Sequence, residues 1–396
     1  MQLEISINFI EDMNKMVLFL SKFEHQHNVK IDLQTFDWPN AWAELMKISL
    51  YGHGPIISET GSTWMSSLAG QNSLRHFHLS EVNAIGGADK FLPESWQSCI
   101  DFDNHTTLAI PWTLNTYLAY YRRDLLREAG VDEAPAFTSI ENFISALESL
   151  QKIGLEIPLA IPTMGNSVSV LHNASSFVWK MGGEWIAKDG KQVLFSNPNT
   201  LAGLKEYFGL YRFMPPAARK LGDEDCIHAY LAGRAAVTFR SPDLLNQIKN
   251  EKTSEQVSQN TGIAMQPGIP FVGGSNLVIW KHVQPAQEAA AVELIRYLTS
   301  TGNMLTQFQN IGYIPANLEA LNQVERDPVY LPLTQSLKTG RAFPRVPLWG
   351  LVEDKLVKVL SSIWRIIFSS PEPNVDRIIQ DTLLPLEDRL NITLSQ

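Results

Sequence analysis

Among the ten tryptophans of the chain, Trp38, Trp64, Trp112, Trp179, Trp280 and Trp349 stand beside breaks in the hydrophobic pattern, at expected strand ends or turns. An indole offers a broad apolar face that can pack the C–H side of a pyranose while nearby carboxylates and amides bond the hydroxyls. Asp37, Glu59, Asn115, Glu184, Arg240 and Ser275 are the polar side chains that similar positions supply. Gly273 and Gly274 would let backbone approach a ligand closely, or else serve only to turn the chain. The competing explanation is core packing for each Trp and capping or solvation for each polar residue, since Asp, Asn and Ser favour turns whatever their function.

Other chemistries find less support. His25-x-His27 and His76-x-His78 lack a partner Cys or carboxylate cluster, so no metal is expected. Gly273-Gly274 sits in neither a G-x-G-x-x-G nor a P-loop frame, and no Gly-x-Ser-x-Gly elbow, His-Glu-x-x-His or Cys/His nucleophile pattern occurs; no cofactor and no catalytic residue is expected. Glu59 with Glu184 is the one pair considered as glycosidase carboxylates, and nothing singles it out among 41 acidic residues.

The elements that must position these residues follow from periodicity. Leu3, Ile5, Ile7 and Phe9 alternate, Met13, Met16, Val17 and Leu20 recur at helical spacing, and Val29, Ile31 and Leu33 alternate again, which predicts β-α-β. A helix through Trp42, Leu45 and Ile48 then runs to the Gly52-His-Gly-Pro55 break, followed by a strand over 56–59 and a helix over 63–69. Such alternation implies mostly parallel sheets flanked by helices, with ligands outside the carboxyl ends of strands, near Asp37-Trp38 and Glu59 to Trp64. Further on, Leu108 and Ile110 predict a strand that Pro111 ends, Leu118 to Tyr121 a second strand, and 124–129 a helix closed by Gly130. Residues 250–260 are apolar-poor and read as an exposed loop, whereas 351–368 and 375–390 read as helices.

At 396 residues the chain suits two domains, and 44% hydrophobic with 18% charged residues describes a globular protein. No apolar run approaches the roughly 18 residues that span a bilayer, so no direct membrane insertion is expected. A net charge of -9 without a Lys/Arg-rich run argues against nucleic acid as partner and is compatible with a neutral ligand. Cys99 and Cys226 show neither metal nor redox spacing and are expected to be unpaired.

Pro111-Trp112, Thr116, Tyr120-Tyr121-Arg122-Arg123-Asp124-Leu125-Leu126 and Ala129-Gly130 resemble the "PW…T…YYrkDLl.kAG" segment of the extracellular solute-binding proteins that feed ABC sugar importers. Trp179 to Glu184, Gly233 to Phe239, Met265 to Gly274 and Asn310 to Asn317 resemble further segments of that family in the same order. The resemblance implies a two-lobed periplasmic-binding-protein fold, α/β, with a ligand cleft between lobes. It places 1–110 with 272–317 in lobe one, and 111–271 with 318–396 in lobe two.

It also implies a monomeric carbohydrate receptor that captures a sugar by hinge closure, without catalysis, and hands it to the membrane permease subunits of an ABC transporter. Trp64, Trp112 and Trp349 are the favoured stacking residues, because each adjoins a family segment. Asn115 stands where many sugar-binding members carry Asp. The family's location is periplasmic or on the extracellular cell surface, its signal segment having been removed. The alternating strand begins at Leu3 with no signal pattern ahead of it, which keeps a cytoplasmic sugar or polyol sensor as the alternative.

Overall fold

The computed structural model describes residues 1–8, 13–101, 106–164, 167–249 and 253–394. Ten strands are formed by these residues: β1 (Gln2–Asn8), β2 (Lys30–Phe36), β3 (Ile57–Gly61), β4 (Ala109–Thr116), β5 (Leu118–Arg122), β6 (Ile157–Ala160), β7 (Ala235–Arg240), β8 (Thr261–Met265), β9 (Val272–Ile279) and β10 (Ile314–Pro315). They make two sheets, in the orders β10-β4-β9-β3-β1-β2 and β6-β7-β5-β8. The chain divides into two compact units, one of residues 1–115, 272–330 and 345–350, the other of 116–271, 331–344 and 351–396. The first unit therefore runs on past residue 317 and takes in Trp349, whereas the sequence reading assigns 318–396 wholly to the second lobe. The physical reason is local: Asn317 Oδ1 caps the helix Leu318–Val324, and the buried Ala320, Leu321 and Val324 fix that helix.

In the first unit β1 lies between β3 and the edge strand β2. Its partners β2 and β3 are both parallel to it, with Asn8 opposite Phe36 and Ser6 opposite Ser58. Strands contributed from later in the chain reverse direction, so β3 pairs antiparallel with β9, and β10 antiparallel with β4. The sheet is mixed rather than mostly parallel. Helix Met13–His27 buries Met16, Phe19, Leu20 and Phe23, an i, i+3, i+4, i+7 stripe. Val17, expected on that face, is 54% exposed because Phe19 and Phe23 rotate the stripe away from it. Phe9, expected to close β1, lies outside the described residues.

Pro111 does not end a strand: β4 continues through it to Thr116. Its short neighbour β10 pairs only with Thr113 and Leu114, so no donor from position 111 is needed on that side. Gly274 has a positive φ of 142°, and a Cβ there would lie 2.0 Å from the carbonyl oxygen of Thr113. Close approach of β9 to β4 is what this glycine permits.

In the second unit β6 and β7 are parallel, while β5 pairs antiparallel with both β7 and β8. Helix Ser169–Lys180 is buried from Ser169 through Trp179. Gly203 makes this possible, since a Cβ on it would sit 2.4 Å from the Val178 Cα. The loop expected over 250–260 is in part a helix, Glu255–Asn260, capped by Ser254 Oγ on the Val257 N–H; residues 250–252 of that expectation lie outside the described residues. A cap and a single buried apolar residue, Val257, suffice for one and a half turns that apolar periodicity could not reveal. Helices Trp349–Ser369 and Val375–Leu394 close the chain.

Candidate functional site

The parallel strands of the first unit end together. Register places the last residues of β1 and β2, Asn8 and Phe36, side by side, and Gly61 of β3 opposite Ser275 of β9. Gly61 is packed under aromatic rings: a Cβ on it would meet Trp64 at 3.2 Å and Trp38 at 3.5 Å. The Trp38 and Trp64 rings meet edge to face with centroids 5.3 Å apart, and Trp42 backs Trp64 at 5.6 Å. Trp64 and Trp42 lean on the core formed by Leu45, Ile48, Met65 and Leu68, so the pair is fixed from behind. Trp38 remains 46% exposed.

Beside these rings, Glu59 is buried. Its Oε2 accepts the Asn8 backbone N–H at 2.7 Å. Burial pushes its carboxyl above the usual carboxylate range, opposed by hydrogen bonds from Ser275 and from the Asn8 backbone. Ser275 Oγ also lies 2.8 Å from Thr113 Oγ1. Asp37 is exposed and sits at the N-terminus of helix Trp38–Tyr51, where its carbonyl accepts the N–H groups of Asn40 and Ala41. Asn115 is half-buried at the end of β4.

Other expected ligand residues turn out to be packed. Trp112 is 1% exposed, its Nε1 donates to Gln307 Oε1 at 2.8 Å, and its ring meets Tyr313 edge-on at 5.0 Å. Trp349 is likewise buried, at the start of the helix to Ser369. Trp280 is buried with its Nε1 donating to Ser58 Oγ. Gly273 is buried within β9, and Gly274 faces the β4 backbone. Indole volume explains the pattern: a ring beside a break in periodicity is as well suited to filling the layer under a sheet end as to facing solvent.

In the second unit, the carboxyl ends of β6 and β7 define the matching edge, and register puts Arg240 beside Leu118, which pairs on its other side with Met265. A buried polar network gathers there. Asp223 accepts from Arg240 and from the hydroxyls of Ser167 and Ser169. Ser169 Oγ lies 2.7 Å from Tyr117 Oη, which lies 3.3 Å from His172 Nδ1. The His172 ring is stacked on Phe271, with centroids 3.8 Å apart at 9°. Burial lowers the His172 pKa to about 3, with the charge of Asp223 pulling the other way, so the ring is neutral. Gln266 Nε2 donates to Asn173 Oδ1. The Arg240 Nε, His172 Nε2, Asn173 Nδ2 and Gln266 Oε1 atoms have no hydrogen-bond partner among the described residues.

Of this network the sequence reading named only Arg240. Tyr117 falls between two strands, His172 lies inside an apolar helix, and Asp223 is one of three consecutive acidic residues. The lone available signal was Ser167-Val-Ser169 ahead of a helix, which reads as ordinary capping chemistry. Glu184 is held by Arg341, whose Nη2 lies 2.9 and 3.0 Å from its carboxylate oxygens and whose guanidinium covers Trp179. Each member of the Glu59 and Glu184 pair is thus engaged by partners of its own unit.

Residues 19–331 match the family described as bacterial extracellular solute-binding protein. A "Probable ABC transporter-binding protein" of Deinococcus radiodurans is 23% identical over 217 residues, 52% of this chain and 51% of that one. A mannitol-binding protein of Pseudomonas aeruginosa is 23% identical over 225 residues, 54% of this chain and 50% of its own length. The chain thus matches about half the length of each of these curated relatives. Among solved structures, the sugar-binding protein MalE of Xanthomonas citri superposes with a TM-score of 0.83 at 19% identity, covering 100% of this chain and 98% of that one. No helix among the described residues is long and apolar enough to cross a membrane. With the match covering most of the chain, and with two mixed sheets flanked by helices in the periplasmic-binding-protein fold, the chain belongs to the bacterial extracellular solute-binding protein family.

Proposed function

We propose that this protein is the receptor of an ABC importer for a neutral polyhydroxylated solute, a sugar or a polyol, and that it acts outside the cytoplasmic membrane as a monomer. The observation that carries the reading is the Trp38–Trp64 pair, backed by Trp42 and set at the carboxyl ends of parallel strands in the same unit as the buried Glu59. Indole faces suit the C–H faces of a sugar, and a carboxylate accepts its hydroxyls. The mannitol-binding and sugar-binding relatives support the solute class. The charged groups of the second unit's network are already paired, Arg240 with Asp223, which favours an uncharged ligand.

The two compact units stand for the lobes in this proposal, and capture is closure of one upon the other, which transporter permease subunits would read as a change of shape. Calorimetric titration with hexitols, pentitols, mono- and disaccharides tests the solute class. Binding of none of them, with the protein demonstrably folded, rejects the reading. Small-angle scattering with the ligand so found tests closure, which an unchanged radius of gyration would refute.

A further inference from the structure

Within the second unit lies a groove of about 820 Å³ whose lining includes Arg219, Lys220, Lys358 and Arg365 and no acidic side chain. This concentration of positive charge stands out in a chain whose formal net charge is -9. One wall is the helix Trp349–Ser369, which turns Lys358, Ser361, Ser362 and Arg365 to the groove. Their spacing, i, i+3, i+4, i+7, puts two cations and two hydroxyls on one helix face. The other wall is the short turn Pro216–Ala218 with Arg219 and Lys220 after it. Thr163 braces this turn: its hydroxyl donates to the Arg219 carbonyl at 3.2 Å and its N–H to the Leu221 carbonyl at 2.9 Å.

Arg219 and Arg365 are held in place by uncharged partners, whereas Lys358 is ion-paired. The Arg219 guanidinium lies 5.6 Å over the Phe368 ring while its Nε donates to the Met214 carbonyl. Arg365 Nη2 donates to Ser362 Oγ at 3.1 Å. Lys358 has a carboxylate partner, Asp354 at 2.7 Å, which is not part of the lining. Cations from two walls interleaved with seryl hydroxyls supply the charge-assisted donors that phosphate oxygens accept.

We propose that this groove binds a soluble small molecule carrying two or more linked phosphate groups. Lys358 and Arg365 are seven helical residues apart, about 10 Å along the axis, and Arg219 and Lys220 stand on the other wall, so the cations are spread over room for more than one phosphate. A volume of this size lies within the roughly 300–1,000 Å³ of small-molecule sites, which favours a compact ligand over a protein segment. The site is separate from the Trp38–Trp64 surface and does not depend on the solute reading.

Sodium tripolyphosphate is the probe, titrated calorimetrically into the full chain at roughly 50 mM salt, where screening is modest. Saturable binding is expected, weakened at least about tenfold in Lys220→Gln/Arg365→Gln through the lost charge-assisted bonds. Lys22→Gln/Lys191→Gln, which removes the same charge from residues that do not line the groove, should leave it unchanged. Should the groove double variant melt early, the single substitution of exposed Lys220 replaces it, with several-fold weakening expected. No saturable binding to the parent protein, or equal weakening in the groove and control variants, would overturn the proposal.

Discussion

The indole Nε1 of Trp112 donates to the side-chain oxygen of Gln307, 195 residues away, and the Gln307 amide in turn donates to the carbonyls of Leu298 and Asn303. Gln307 is itself 1% exposed, so this chain of bonds joins β4 to helix Thr301–Ile311 inside the first unit.

Trp112 therefore works as a structural residue. Trp112→Ala is expected to lower the stability of the unliganded protein by about 3–5 kcal/mol, the scale of truncating a buried aromatic residue. Gln307→Leu leaves the indole N–H without its acceptor and should cost about 1–3 kcal/mol. Urea unfolding of both variants checks this. A Trp112→Ala protein as stable as the parent would contradict the packed role.

Trp38 should behave in the opposite way. With 46% of its surface exposed, Trp38→Ala ought to change the melting temperature little. On the proposed solute reading it should weaken sugar or polyol binding by about 2 kcal/mol, roughly thirtyfold. Affinity measured beside the unliganded melt separates the two effects, and unchanged affinity would remove Trp38 from the site.

His172 predicts an acid-sensitive unit. Its folded pKa of about 3 lies below the ordinary 6.5, so the unfolded chain binds the proton first as pH falls. The stability it contributes is present above about pH 6.5 and is lost progressively on the way down to about pH 3. The slope from this single group reaches at most about 1.4 kcal/mol per pH unit. Tyr117 Oη faces it directly at 3.3 Å, and Asp223 lies beyond Ser169, which bonds to both. Stability measured against pH should show a shallower slope in His172→Gln than in the parent; identical slopes would mean that another group carries the acid response.

Gly274→Ala should be costly, about 2 kcal/mol or more, through its backbone conformation and the contact with Thr113. Gly70, with open space where its Cβ would be and no positive φ, is the matched control. Gly70→Ala is expected to be neutral or stabilising by about 0.4–1 kcal/mol. Equal effects at the two sites, read by thermal unfolding, would show that the β9–β4 approach is not tight.

Much of the fold was legible because burial is written as periodicity. The alternation of Leu3, Ile5 and Ile7 and the helices expected over 351–368 and 375–390 appear within a few residues of where they are expected. Gly52, whose φ of 66° ends helix Trp38–Tyr51, was readable as a stop. The failures were at Pro111, Val17 and residues 255–260, where a neighbouring strand, a competing pair of Phe side chains and a serine cap outweighed local preference.

The candidate site divides in the same way. Sequence alone placed Asp37, Trp38 and Trp64 just past the ends of strands, because the order of strands and helices fixes which segments follow carboxyl ends; Glu59, expected at the end of a strand over 56–59, lies inside β3, which runs on to Gly61. Tertiary structure decided which indoles are core, since whether Trp112 or Trp38 faces solvent depends on what packs behind it. It also decided the network of Tyr117, Ser169, His172, Asp223 and Arg240, which spans more than a hundred residues of sequence and exists only where sheet register and a buried helix bring those groups within hydrogen-bond reach. Short-range preferences act over a few residues, whereas burial and pairing are set by neighbours distant in sequence, and for that reason composition and spacing could name the candidates but not sort them.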